Sequence, residues 1–360
     1  MAKKTVESEI LVVGPGAIGC AVIASLAHYK IPVKILGKEH HKEHFSNNEV
    51  KYVKGNETLS GKVEVVTLED LKKNQIRPKY VAITLKANHT MDLVTQLGEI
   101  LPPETPIVSL QNGLIAYDIG ASNHFQNVFG CVVGFNIKKE NLGISVQASD
   151  GSLVIGNING KSEEIPEFIV ESLNKVAPVQ VSKTIAGDIW MKVLINSVIN
   201  PLSAIGDCTL GELANSNESV YLCLWAWKEM VDVATQHGIT LNPFEGKLFP
   251  EVLYIYDIIS YAIARLVLGK IVYPHRNAVI SMLQDIRGNR PTEIDYLNGK
   301  ILEIGKSYGM ELPVNTLLVK YIKKLENKEI KGGRGLLRKF YKEVLDGRVR
   351  NIVPSYFVNL

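Results

Sequence analysis

The sequence predicts an α/β parallel-sheet domain followed by an all-helical domain. Two observations carry this. Up to Lys183, short apolar runs ending in turn residues alternate with helical stretches, as do strands buried on both faces of a parallel sheet. After Lys183, helical periodicity dominates from Ile185 to Glu326. Length agrees: 360 residues exceed what one core organises, so two domains are expected.

The elements follow in order. Ile10-Leu11-Val12-Val13 is a buried strand that runs into glycine. Residues 17 to 29 read as a helix and Val33-Lys34-Ile35-Leu36 as the second strand. Tyr80 to Leu85 and Pro106 to Leu110 are further strands, with a helix near 90 to 100 between them. From Val128 to Gly156 strands crowd together between glycine turns, which predicts an antiparallel far edge. The helical part is broken by Asn215-Ser216-Asn217, by Gly238 and Pro243, and by Gly288 to Pro291. The apolar stretch Val252 to Tyr273 contains Asp257, Arg265 and Lys270, so it reads as core helices rather than a membrane span. Gly332-Gly333 breaks the last helix. Residues 331–360 then carry seven Lys/Arg against two Asp/Glu. The domains are accordingly 1–183, 184–330 and a basic extension over 331–360.

Composition narrows the function classes. The chain is 46% hydrophobic and 21% charged with net charge +3, too mild a balance to imply nucleic acid or an anionic membrane as partner. Cys20, Cys131, Cys208 and Cys223 are far apart in apolar settings, which suits reduced thiols in a cytoplasmic protein. The polar segment Met1 to Glu9 lacks the apolar core of a signal peptide. His40 and His44 are four apart, but no Cys or further His cluster supports a metal. The expectation is no metal site and a solvated loop there.

Three motifs carry chemistry. Gly14-Pro15-Gly16-Ala17-Ile18-Gly19 is a GxGxxG that follows a strand and opens a helix. That is the context of a Rossmann-type phosphate turn, in which backbone N–H groups face a pyrophosphate. The second strand ends Leu36-Gly37-Lys38, with no carboxylate to hold a ribose 2′-hydroxyl. A cation there pairs with a 2′-phosphate, so NADPH is favoured over NADH; an ordinary exposed lysine is the alternative. Two more strand ends offer polar groups, Lys86 and Gln111-Asn112-Gly113. Lys86 can meet a phosphate or a carboxylate, and Asn112 a nicotinamide or substrate. A surface lysine and a plain Asn-Gly turn remain the alternatives.

The third motif is a polar stripe. Lys192, Asn196 and Asn200 stand four apart in an otherwise apolar helix, and steps of four drift by only ~40°. An ammonium and two amides in such a helix need polar company, and a bound ligand is the sharpest candidate. Hydride delivery to a ketone builds charge on its oxygen, which a positioned ammonium stabilises and protonates. Asparagine suits a hydroxyl-rich substrate because it both donates and accepts. Glu293 is a carboxylate able to orient the lysine. After Pro291-Thr292 it is equally an acid at a helix start.

Taken together these residues resemble the ketopantoate reductase family. The likeness rests on the glycine turn, Leu85-Lys86-Ala87, Asn112-Gly113, and Trp190-x-Lys192-x3-Asn196-x3-Asn200-Pro201-Leu202. It also rests on Ser281-Met282-Leu283-Gln284-Asp285-x8-Thr292-Glu293-Ile294-Asp295-x2-Asn298-Gly299. The resemblance spans roughly residues 9 to 327. It implies a Rossmann-type domain plus a helical domain like the C-terminal domain of 6-phosphogluconate dehydrogenase. It further implies NADPH-dependent reduction of 2-dehydropantoate to (R)-pantoate, on the way to pantothenate and coenzyme A. The roles it implies are Gly14, Pro15, Gly16, Ala17, Ile18 and Gly19 at the cofactor phosphates, Lys86 by the cofactor, and Asn112 touching cofactor and substrate. Lys192 would be the general acid, Asn196 and Asn200 would bind substrate oxygens, Ser281 its carboxylate region, and Glu293 would lie beside the cofactor. One departure stands out. Where relatives of the bacterial reductase place a substrate-binding asparagine before Gly-Glu-Leu, this chain has Leu210 before Gly211-Glu212-Leu213. A reductase of another 2-oxo acid is therefore the alternative, and a non-catalytic dinucleotide sensor a third. The amphipathic run Leu336 to Leu345 has three destinations: a partner subunit in a homodimer, its own helical domain, or an acidic partner.

Overall fold

The computed structural model describes residues 9–159, 164–243, 265–266, 268–269 and 272–351. The chain forms two compact units, Met1–Ile189 and Trp190–Leu360. Most of the apolar stretch Val252 to Tyr273 lies outside the described residues.

Among the described residues the first unit contains twelve strands: β1 (Ile10–Val13), β2 (Val33–Leu36), β3 (Val50–Lys54), β4 (Glu57–Gly61), β5 (Glu64–Val66), β6 (Tyr80–Ile83), β7 (Ile107–Ser109), β8 (Val128–Val133), β9 (Ile137–Asn141), β10 (Ile144–Gln147), β11 (Leu153–Asn157) and β12 (Val179–Val181). Its helices are α1 (Ala17–His28), α2 (Glu39–Asn47), α3 (Leu68–Asn74), α4 (Thr90–Ile100), α5 (Ile115–Ala121) and α6 (Glu167–Leu173). The main sheet runs β12-β11-β8-β7-β6-β1-β2-β5. It is parallel except where β11 meets β8. The α/β expectation therefore holds.

Both faces of the sheet are covered. Leu11, Val13, Val81 and Ile83 pack with Leu71, Val94, Leu97 and Ile119 from α3, α4 and α5. Ile10, Val12, Tyr80 and Ala82 face the other way, against Val22, Ile23 and Leu26 of α1 and Ile169 and Leu173 of α6. This period of two explains the unbroken apolar run of β1, since each neighbour points to a different buried layer. Fully burying such a side chain stabilises by roughly 1.5–3 kcal/mol.

Three features depart from expectation. The antiparallel strand β11 is present, but the sheet continues past it into β12, which pairs parallel. Strands β9 and β10 leave the main sheet and join β3 and β4 in a second sheet, β4-β3-β10-β9, laid over α1. This sheet is dense in Lys and Glu on its outer side, which hides its period-two pattern. Residues 40–44 form no loop: they lie in α2. His41 stabilises that helix start, its Nδ1 accepting from the Lys38 N–H at 3.0 Å, while Phe45 is buried beneath. Among the described residues no metal-holding cluster occurs.

The helix α7 (Ile185–Gly206) runs out of the first unit into the second. The second unit adds α8 (Leu210–Ala214), α9 (Asn217–Gln236), α10 (Ser281–Arg287), α11 (Lys300–Ser307), α12 (Pro313–Glu326) and α13 (Arg334–Asn351). The expected breaks are visible. Ser216 caps α9 by accepting from the Ser219 N–H, and Gly238 takes φ +75° after it. Helix α7 is long and apolar enough to cross a bilayer, yet 83% of its most apolar window is buried inside the protein, as a core helix should be. Pro201 sits within it, a residue that costs about 3 kcal/mol in a helix interior unless its disruption is absorbed.

Within the basic extension, α13 packs on its own unit. Leu337, Phe340 and Val344 of α13 are buried, at helical spacing, against α9 and α12. Tyr341 stacks on Trp225 with ring centroids 5.8 Å apart. The Tyr321 hydroxyl donates to Glu343 at 2.5 Å. Arg338–Glu218 and Arg334–Glu212 pairs lie at the exposed rim, where such contacts add little. All four cysteines are free and buried. Burial raises each thiol well above its ordinary range, so none is poised as a nucleophile.

Candidate active site

In the first unit the strand order reverses about β1, with β6 on one side and β2 on the other. Open α/β sheets bind ligands at the carboxyl ends of strands beside such a point. The glycine turn lies there, and its three glycines are required for different reasons. Gly14 has φ +89°, and a Cβ on it would lie 2.5 Å from Leu85 Cδ2. A Cβ on Gly19 would lie 2.0 Å from the Gly14 carbonyl oxygen and 2.6 Å from Thr84 Oγ1. Both glycines serve the fold. A Cβ on Gly16 meets nothing nearer than the Thr84 carbonyl oxygen at 3.7 Å, so the space before it is free of protein. Gly16, Ala17 and Ile18 are the half-exposed part of the turn, while Gly14, Pro15 and Gly19 are buried. Gly16 begins α1 without a side-chain cap or an acid in the first turn. The residues present thus fit a phosphate group approaching the backbone.

Two further residues shape this edge: Thr84, which the sequence does not single out, and Gln111, which it offers only as one amide of a strand end. Thr84 Oγ1 lies 2.8 Å from both the Val13 and Gly14 carbonyl oxygens, fastening β6 to the turn. The Gln111 amide donates to the Leu85 carbonyl oxygen at 2.9 Å and to Thr90 Oγ1 at 2.6 Å, and accepts from Ser109 Oγ. Gln111 therefore ties the loop bearing Lys86 to the loop bearing Asn112. Both of those residues are half-exposed, and Gly113 follows at φ +85°. An Asn-Gly pair after a strand signals the turn; its inward-facing neighbour has no such signature.

At the end of β2, Lys38 is exposed and opens α2. His41 beside it is held down to about 4, first by burial and then by the positive surroundings of His40, Lys139, Lys38 and His44. Several cationic or protonatable groups thus gather at the end of β2.

In the second unit, the stretch of α7 from Trp190 to Gly206 is buried except at two positions, Lys192 and Asn196. Asn200, one further turn on, is 8% exposed. Lys192 and Asn196 are therefore the most accessible residues of that stretch. Ser281 is exposed as the first residue of α10, beside buried Met282 and Leu283.

Glu293 is held from both sides. The preceding Thr292 N–H donates to Glu326 Oε1 at 2.7 Å. Behind it, Asp285 pairs with Arg290 at 3.0 Å across the Gly288 to Pro291 turn. After Glu293 comes one turn of π-helix, Asp295–Gly299, with Gly299 N–H bonded to the Ile294 carbonyl oxygen at 3.0 Å. The helix start expected at Glu293 thus opens on a π-turn, a form common at functional sites. From it Asn298 reaches the Ser197 carbonyl of α7 at 2.7 Å, so the Glu293 segment lies against the helix that carries Lys192 and Asn196.

Leu210 is buried as the first residue of α8, behind the cap formed by Thr209 and Glu212. Its side chain is packing, and it offers no hydrogen bond in place of an amide.

Two family models match the chain: ketopantoate reductase PanE/ApbA over residues 10–160, and ketopantoate reductase PanE/ApbA C terminal over residues 184–326. The 2-dehydropantoate 2-reductase of Shigella flexneri is 30% identical over 268 residues, covering 71% of this chain and 77% of that protein. A PanE/ApbA family ketopantoate reductase from Ralstonia eutropha JMP134 superposes with TM-score 0.74 at 22% identity, covering 89% of this chain and 99% of that one. D-mandelate dehydrogenase, solved with NADH and anilino(oxo)acetate, superposes with TM-score 0.75 at 20% identity over 89% of this chain and 98% of that one. These two structural likenesses establish the shared architecture.

Proposed function

The chain belongs to the ketopantoate reductase family, and we propose that it reduces 2-dehydropantoate to (R)-pantoate with NADPH, on the route to pantothenate and coenzyme A. The observation that carries this reading is the polar stripe of α7, where Lys192 and Asn196 alone interrupt a buried stretch. Bound NADPH supplies the hydride. Lys192 stabilises the charge that grows on the substrate's ketone oxygen and gives it a proton. Asn196 and Asn200 hold the substrate's oxygens, and Ser281 its carboxylate end. Glu293 orients the Lys192 ammonium beside the cofactor. Gly14 to Gly19 and Lys86 receive the phosphates, Asn112 reaches both ligands, and Lys38 meets the 2′-phosphate.

The three glycines separate binding from folding. Gly19→Ala drives a methyl group into backbone and is expected to lower the melting temperature, because overpacking costs roughly 1–3 kcal/mol. Gly16→Ala has room within the protein, so its melting temperature should stay near wild type while its Kd for NADPH rises at least about 10-fold. Thermal unfolding and a fluorescence titration with NADPH check both. Normal NADPH affinity in Gly16→Ala would refute the phosphate assignment.

Lys38→Glu places a carboxylate where the 2′-phosphate is proposed to sit. The preference for NADPH over NADH, read as a ratio of kcat/KM values, is expected to fall by at least about 10-fold, roughly 1.4 kcal/mol. An unchanged ratio counts against Lys38 as the discriminating group.

A second reading is favoured by Leu210: reduction of a different 2-oxo acid on the same fold, since no amide stands there to hold the far end of pantoate. The deciding experiment follows NADPH oxidation on addition of ketopantoate, with NADH in parallel and a panel of other 2-oxo acids. Fast turnover of another oxo acid with little turnover of ketopantoate selects the second reading. Tight NADPH binding without turnover of any of them selects a sensing role.

A further inference from the structure

We infer that Asn298 is a positioning residue for the reaction: its side-chain amide replaces the backbone donor that Pro201 denies to Ser197, and so fixes the Asn196–Asn200 turn and the Glu293 turn in one geometry. The inference rests on the proposed roles of Asn196, Asn200 and Glu293.

In an α-helix the carbonyl of residue 197 accepts from the N–H of residue 201. Here residue 201 is proline, which has no N–H and whose ring crowds that same carbonyl. Ser197 is fully buried, so water is no ready substitute. The Asn298 amide nitrogen lies 2.7 Å from the Ser197 carbonyl oxygen and fills the role.

The amide is itself held. Asn298 is fully buried, and its nitrogen also donates to Asn315 Oδ1 at 2.9 Å. Both partners are acceptors, so the nitrogen end must point toward them. Asn315 in turn donates from its amide to Glu229 Oε2 at 2.8 Å and to the Ala226 carbonyl oxygen at 3.2 Å. The Glu229 carboxylate accepts from the Val314 and Asn315 N–H groups at the start of α12, which suits an acid at a helix N-terminus. A continuous chain of hydrogen bonds thus runs from the N-terminus of α12 through Asn315 and Asn298 to the broken turn of α7.

The geometry at the other end matters equally. Asn298 sits on the π-turn, and the Leu297 N–H bonds back to the Glu293 carbonyl oxygen at 3.1 Å. This contact therefore ties the Glu293 turn directly to the helix bearing the acid and the amides. Ordinary caps and core packing would leave that relation to adjustable side chains.

A double-mutant cycle tests this. Pro201→Ala restores an N–H for Ser197 and makes the Asn298 donor redundant. In the wild-type background, Asn298→Ala is expected to lower kcat/KM for the 2-oxo acid by about 10- to 100-fold, as a small misplacement of catalytic groups does. In the Pro201→Ala background the same change is expected to cost no more than about threefold. Activity is measured well below the melting temperature on protein shown folded by circular dichroism, so unfolded material does not count as lost turnover. Equal losses in both backgrounds overturn the inference. Coupling in melting temperature without coupling in kcat/KM also overturns it, leaving Asn298 a purely structural residue. Recovery of soluble Asn298→Ala only in combination with Pro201→Ala shows coupling in stability alone, and the cycle is then run with Asn298→Ser. Insolubility in both backgrounds moves the cycle to Asn298→Ser, with the same two criteria. A wild-type protein inactive on every oxo acid is a failure of the proposed function, separate from an active wild type with additive variants.

Discussion

Lys192→Ala is expected to lower kcat by at least about 10²-fold, within the range for loss of a general acid. The variant should fold normally. Alanine is the best helix former, and α7 is held by buried neighbours such as Met191, Val193 and Leu194 rather than by its ammonium. Lys192→Arg should not recover the rate, because a guanidinium holds its proton too tightly to give it up. Steady-state NADPH oxidation with the preferred oxo acid, beside a melting curve, checks both variants. Near-normal turnover in Lys192→Ala would remove the lysine from the chemistry and leave the stripe as a substrate cradle only.

Ending the chain at Gly333 is the second large change. It strips Leu337, Phe340 and Val344 from α9 and α12. At roughly 1.5–3 kcal/mol for each such side chain, the loss is about 4.5–9 kcal/mol, comparable with the whole stability of many domains. The expected result is loss of soluble, cooperatively melting protein. Phe340→Ala is the milder form and should cost about 3–5 kcal/mol. Denaturant unfolding measures it, and an unchanged midpoint in Phe340→Ala rejects the packing role. Sizing of the same variant addresses assembly. The inner face of α13 is occupied within its own unit, so a subunit contact would use its basic outer face, and Phe340→Ala should leave the mass of folded protein unchanged.

The parts of the molecule legible from sequence are those where one residue type answers one local demand. β1 is apolar at every position because both faces are covered. Gly14 and Gly19 are glycines because backbone and Thr84 leave no room for a side chain. Lys192 and Asn196 stand out because their surroundings are apolar. What escapes reading depends on residues distant in sequence. The strands β9 and β10 alternate weakly, and the partner of β10, β3, lies far upstream. Gln111 reads as one more amide at a strand end, yet it faces inward to Leu85 and Thr90. Asn298 has meaning only once Pro201, far upstream, is known to leave a carbonyl without its donor. The helix α2 is disguised by three histidines, and the pairing of His41 with the Lys38 N–H is not a common cap.

The small sheet over α1 bears on the order in which the first unit assembles. β3 pairs with β10 in parallel, joining Lys51 to Ile144 across the length of that unit. Closing a loop of that size costs about 4 kcal/mol of chain entropy. The cost is offset only once β6, β7 and β8 are already seated side by side and have carried the chain back. On the ribosome, β1, α1 and β2 emerge first and can associate locally. Their outer cover begins with the local β3–β4 hairpin and is completed only when β9 and β10 have been synthesised. The helix that begins at the glycine turn is therefore present early but sealed late, and until then the part of its face beneath β9 and β10, beside Cys20, stays open to solvent and to chaperones.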